Sequence, residues 1–113
     1  MKLVALVALV AALAVPVATA ATPTLNGTDG PGFTITLTKG GAKVTKLKAG
    51  AYIIKIADKS NIHNFHLKGP GLNKATTVPQ KGTFTWKVKL KAGRYTYVCD
   101  PHATIMKGAF TVT

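Results

Sequence analysis

The chain has 113 residues, and its 15 lysines and arginines face three aspartates and no glutamate, for a formal charge of +12 at pH 7. With no glutamate, a single serine (Ser60) and no closely spaced pair of aspartates, it lacks the parts for carboxylate-pair or serine-triad chemistry, so an enzyme is not expected.

The first element is a leader. Lys2 precedes an apolar run from Leu3 to Val15, then Pro16 and the small-residue stretch Val17-Ala18-Thr19-Ala20. This reads as a secretory signal peptide over residues 1–20, cleaved after Ala20. The run falls short of the roughly 20 apolar residues a spanning helix needs, which makes an uncleaved anchor the lesser alternative. The protein is thus expected to be exported, periplasmic or secreted. Removing twenty residues from 113 leaves 93, enough for one small domain, and losing Lys2 lowers the charge by one to +11. Such a chain seeks anionic surfaces: redox protein partners with an acidic docking face, or an anionic membrane surface. Nucleic acid is not expected, because no RNA-binding or helix-turn-helix pattern appears. Many of the lysines alternate with apolar residues and read as a solvated face, and the domain reads as a monomer.

Residues 21–31 are rich in Thr, Pro and Gly and read as a flexible start, with the folded domain over 32–113. Asn26-Gly27-Thr28 matches a glycosylation sequon but reads as a turn. Phe33 to Thr38 alternates apolar residues with threonine, as a half-buried strand does. Gly40-Gly41 turns the chain into a weaker strand, Ala42 to Leu47. Ala51 to Ile56 follows, with Tyr52, Ile54 and Ile56 on one face. Ile62 to Leu67 is a short strand, and Leu72 to Gly82 a long connection. In Thr83 to Leu90 the residues Phe84, Trp86, Val88 and Leu90 point inward. Arg94 to Cys99 and Lys107 to Thr113 close the chain. The units Leu47-Lys48-Ala49-Gly50-Ala51-Tyr52 and Leu90-Lys91-Ala92-Gly93-Arg94-Tyr95 echo one another as two similar turns. Short strands separated by Gly/Pro turns predict an all-β fold, a two-sheet antiparallel Greek-key β-sandwich of about seven to eight strands.

The chemistry is concentrated near the C-terminus, in Cys99-Asp100-Pro101-His102-Ala103-Thr104-Ile105-Met106, a Cys-x2-His-x3-Met cluster between two strands. An exported chain with one cysteine is unusual, since that compartment favours paired thiols. Metal ligation would both use and protect the thiol, whereas a buried inert cysteine is the plainer reading. His63, upstream at a strand start, completes a set of two imidazoles, a thiolate and a thioether. That is the trigonal His2Cys set with a weak axial methionine that suits one type 1 copper ion. Zinc would prefer a further strong ligand, and a degenerate or zinc-loaded site is the alternative. Taken singly, Met106 would be core filler and His63 an ordinary histidine. Their joint occurrence at this spacing favours the metal. His66 lies three positions after His63, so in a strand the two point to opposite faces.

Tyr95-Thr96-Tyr97-Val98-Cys99-Asp100-Pro101-His102 and His63-Asn64-Phe65 resemble the plastocyanin/azurin-like cupredoxins, in particular small bacterial exported blue copper proteins, over Gly32 to Thr113. The resemblance implies a mononuclear copper at one pole of an eight-strand-type sandwich, one-electron transfer, and a role for Asn64 in tying the two ligand loops together. The His-to-Met gap of three is one shorter than plastocyanin-like loops usually have, which makes Met106 the least secure ligand. Asp100 inside the loop would favour Cu(II), and Pro101 has no N–H to offer the Cys99 sulfur. The function expected is a soluble electron carrier outside the cytoplasm; the alternative is a copper-binding protein for storage, delivery or tolerance.

Overall fold

The computed structural model describes residues 2–5, 7–8, 11–12 and 20–113. The expected signal segment falls largely outside the described residues, including the stretch 13–19 before its cleavage point. Among the described residues no helix is long and apolar enough to cross a membrane.

Among the described residues ten strands follow in chain order: β1 (Thr24–Asp29), β2 (Ile35–Lys39), β3 (Ala42–Lys43), β4 (Lys46–Leu47), β5 (Gly50–Asp58), β6 (His66–Gly69), β7 (Leu72–Ala75), β8 (Gly82–Leu90), β9 (Gly93–Val98) and β10 (Lys107–Val112). They form two five-stranded sheets, β3-β2-β1-β5-β8 and β4-β10-β9-β6-β7. The alternation read from the sequence explains the burial. Tyr52, Ile54 and Ile56 of β5 and Val88 and Leu90 of β8 enter from one sheet; Leu67, Tyr95, Tyr97, Phe110 and Val112 enter from the other, and all join one core. Aromatic rings fill its centre. Phe65 stacks on Tyr97 at 5.5 Å and Tyr95 on Phe110 at 5.2 Å, each pair within 7° of parallel. The chain is therefore the expected all-β two-sheet sandwich.

Four details differ from the sequence expectation. The sheets are mixed, because β1 runs parallel to β5 and β10 parallel to β4. Thr24–Asp29, expected within a flexible start, is instead a strand between β2 and β5, and the Asn26-Gly27-Thr28 sequon lies in it and not in a turn. The 42–47 segment splits into β3 and β4, which belong to different sheets. The long connection contains β7, and the strand expected at 62–67 begins only at His66, so His63 and Asn64 lie in the loop before it. The two echoed turns do match: the Tyr52 hydroxyl donates to the Lys48 carbonyl at 2.7 Å and the Tyr95 hydroxyl to the Lys91 carbonyl at 2.9 Å. Every described strand and core residue lies within 24–112.

Candidate metal centre

Two loops meet at one pole of the sandwich. The first leaves β5 at Asp58 and carries His63 and Asn64; the second joins β9 to β10 and carries Cys99, His102 and Met106. Cys99 follows β9, and its N–H donates to the Met106 carbonyl at 3.0 Å, extending the β9–β10 ladder across the neck of the loop. A single 3-10 turn, Asp100–His102, with Pro101 in its first turn, folds the loop back. The Met106 N–H closes it on the His102 carbonyl at 2.8 Å.

This closure brings three donors together. The His63 and His102 Nδ1 atoms lie 3.1 Å apart, and the Cys99 Sγ is 3.6 Å from the first and 3.5 Å from the second. All three ligand atoms lie within 4.8 Å of one another. A triangle with these sides accepts one ion about 2 Å from each corner, the length range of metal–imidazole and metal–thiolate bonds. The donor chemistry fits copper, since two imidazoles and one thiolate without a fourth strong ligand suit the trigonal site better than zinc. Met106 is fully buried beside this group, anchored through its backbone to Cys99 and His102. Of the three donors, His63 and Cys99 are fully buried, whereas His102 is partly exposed.

Asn64 connects the loops. Its backbone N–H points at the Cys99 Sγ at 3.5 Å, and its Oδ1 accepts from the Asp100 N–H at 2.7 Å. Its Nδ2 donates to the Asp100 carboxylate at 2.8 Å and to the Thr76 carbonyl at 3.3 Å. The sulfur thus receives a donor from Asn64 where Pro101 supplies none. Burial pushes the Cys99 thiol above its ordinary range; the Asn64 and His102 backbone N–H groups oppose this, and the charges of Asp29 and Asp100 add to it. Burial also acts to raise Asp100, but hydrogen bonds from Asn64 and His66 and the charges of His66 and Lys68 outweigh it and hold the carboxyl below its usual value.

His66 stays outside the donor group. Its Nδ1 faces Asp100 at 2.8 Å and its Nε2 faces the Asn73 Oδ1 at 2.5 Å, so both ring nitrogens are engaged.

Several contributors escape sequence reasoning. The ring of Phe33 stands edge-on to His63 at 5.4 Å and to His102 at 5.0 Å. The Thr76 Oγ1 accepts from the Phe65 N–H at 2.8 Å, fixing the chain after Asn64. Gly30, at φ +71°, lies so near that a Cβ there would meet His63 Cδ2 at 3.1 Å. Asp29 and Asp58, far apart in sequence, are register partners across β1 and β5 and are both buried. The sequence offered no closely spaced aspartates, yet the fold makes a pair of them. Burial first, then a side-chain hydrogen bond with Asp58 and its charge, push Asp29 up to about 8.

Comparison with known proteins agrees with this geometry. Residues 3–112 match the family model of the cupredoxin-like domain. The chain belongs to the cupredoxin-like family. Among solved structures it is similar to the copper protein rusticyanin, at 18% identity and a TM-score of 0.62 over 84% of this chain and 80% of that one. Rusticyanin from Thiobacillus ferrooxidans gives 22% identity and a TM-score of 0.54 over 84% and 79%. A heme-copper terminal oxidase gives 22% and 0.53 over 80% of this chain and 63% of its own. At such identities the likeness is one of fold. No curated protein matches the chain in sequence.

Proposed function

We propose that the chain holds one type 1 copper ion through His63, Cys99 and His102, with Met106 as weak axial donor, and serves as a soluble one-electron carrier outside the cytoplasm. The observation that carries this reading is the triangle of two imidazole nitrogens and one sulfur, with sides of 3.1, 3.5 and 3.6 Å. When bound, copper supplies a Cu(II)/Cu(I) couple that exchanges one electron.

The chain's own residues fit that task. Cys99 must give up its proton to ligate, and the N–H groups of Asn64 and His102 favour the thiolate. His63 is enclosed, and Asn64 ties its loop to the other ligand loop, so the donors stand assembled and need little movement when charge changes. His102 is the ligand open to solvent and the natural path for an electron. Around it the loops expose Phe33 (56%), Ile62 (49%) and Ile105 (62%), an apolar collar on which a redox partner could seat. Lys59, Lys81 and Lys107 stand exposed at the same end of β5, β8 and β10, which suits a partner with an acidic rim. Export rests on the leader pattern of residues 1–20.

The test is spectroscopic. Cu(II) added to the protein should produce an intense visible thiolate-to-copper band and a narrow-hyperfine EPR signal, both lost in Cys99→Ser. Colour that survives this substitution sinks the model. Reversible voltammetry with slow loss of Cu(I) to a chelator supports a carrier, whereas loss within seconds with sluggish electron exchange supports storage or delivery.

A further inference from the structure

The pole opposite the donor triangle differs from it in kind. β9 and β10 meet the metal-bearing loop at Val98 and Lys107, so their other ends, Gly93 and Val112, mark the far pole. There an open groove of roughly 840 Å³ is lined by Lys39, Lys43, Lys46 and Lys48, with Pro23 and Tyr52 among its walls. All four lysines are exposed. Beside the groove, Lys46, Thr111 and Arg94 form one exposed row across β4, β10 and β9. No side-chain carboxylate balances this charge: Asp29 and Asp58 are buried at the metal end, and Asp100 lies in the loop between β9 and β10, paired with His66.

The kind of partner follows from what the far pole lacks. Protein interfaces gain their affinity from buried apolar anchors. In the folded domain the large exposed hydrophobics, Phe33, Ile62 and Ile105, all stand around the metal, and none stands among the far lysines. A face of unpaired lysines without an anchor suits a diffuse anionic surface, where each lysine near lipid headgroups contributes separately. The folded domain also opens at this pole: Pro23 lines the groove, its carbonyl accepts from the Ile53 N–H at 3.0 Å, and β1 starts at the next residue.

We propose that the lysine-lined far pole rests on an anionic lipid surface and holds the His63–Cys99–His102 pole outward, toward diffusing partners. The arrangement works whether the leader is removed or retained, because the docking charge belongs to the folded domain.

The test uses the chain from Ala21 onward, which keeps all ten strands and the whole core. Its sedimentation with vesicles of phosphatidylcholine alone, and with about a third phosphatidylglycerol, is measured near 0.1 M salt, where the Debye length is ~10 Å. Binding is expected only to the anionic vesicles. The combined Lys39→Gln, Lys43→Gln, Lys46→Gln and Lys48→Gln variant should lose on the order of a thousandfold in partitioning. Lys59→Gln, Lys68→Gln, Lys81→Gln and Lys107→Gln remove equal charge elsewhere and should change it only a few-fold. Equal losses in the two variants overturn the proposal, since net charge alone would then explain binding. Failure to bind anionic vesicles alongside binding to soluble polyglutamate overturns the lipid assignment. Hydrogen exchange on the unmodified chain gives an independent reading. Vesicles should slow exchange over 42–48 and leave 100–106 unchanged, and the reverse pattern refutes the orientation.

Discussion

Asp29→Asn should remove a pH dependence that the fold builds into its own stability. Asp29 and Asp58 are register partners on parallel strands, 0% and 3% exposed. The Ser60 N–H donates to Asp58 Oδ1 at 3.1 Å, but the other three carboxyl oxygens find no donor while both groups are ionised. Burial of the carboxylate, and after it the O–H that a protonated Asp29 can donate to Asp58 and the charge of Asp58, raise its pKa from 3.8 to about 8. The sign follows from linkage. The folded state binds more protons than the unfolded chain between about pH 4 and 8. The contribution is fully present below the unfolded value and is lost as pH rises through the folded one. The slope is at most ~1.4 kcal/mol per pH unit for one proton. In urea titrations of the metal-free protein that slope should lower the midpoint by roughly 0.5–1 M per pH unit. Asparagine carries a permanent N–H donor of nearly the same shape, so Asp29→Asn should titrate flat relative to the parent and exceed it in stability at pH 8. Groups that do not interact with Asp29 cancel in that comparison. Parallel curves for the two proteins between pH 5 and 8 would refute the shared-proton argument.

Asn64→Ala removes the two side-chain hydrogen bonds that join the loops at Asp100 and a third to the Thr76 carbonyl, at a cost of about 2–3 kcal/mol in urea unfolding. The Asp100 carboxyl should titrate higher in the same variant, readable by NMR. Gly30→Ala places a side chain at φ +71° and against His63, so about 1–2 kcal/mol of stability and some copper affinity should be lost together in denaturation and competition assays. Met106→Leu should keep the visible band and raise the reduction potential, since it replaces a weak axial donor with a hydrocarbon; an unchanged potential in voltammetry means that Met106 is not a ligand.

What the sequence disclosed and what it withheld divide along the range of the interactions. Cys99, His102 and Met106 are legible because one tight loop carries them, and chain spacing is then nearly spatial spacing. The loop-tying role that the resemblance implies for Asn64 is visible in the structure, where its side chain bonds both Asp100 and Thr76 while His66 is engaged by Asp100 and Asn73. The strict alternation of β5 and β8 showed which residues enter the core. β1 was hidden because Thr24-Leu25-Asn26-Gly27-Thr28-Asp29 is written in turn residues. It is a strand because neighbours override local preference: a Cβ at Gly27 would lie 2.7 Å from Ile56 Cδ1 and 3.0 Å from the Phe65 ring, so the glycine is where β1 lets the core close over it. β7 is a four-residue edge strand with no alternation to read. Phe33, Thr76 and the Asp29–Asp58 pair depend on the register between strands distant in sequence, which composition and spacing do not encode. The same strand β1 that escaped notice ends at Asp29, with Gly30 next in the chain. Together they supply one half of the buried acid pair and the backbone against His63, and so link the stability of the sheet to the position of a donor imidazole.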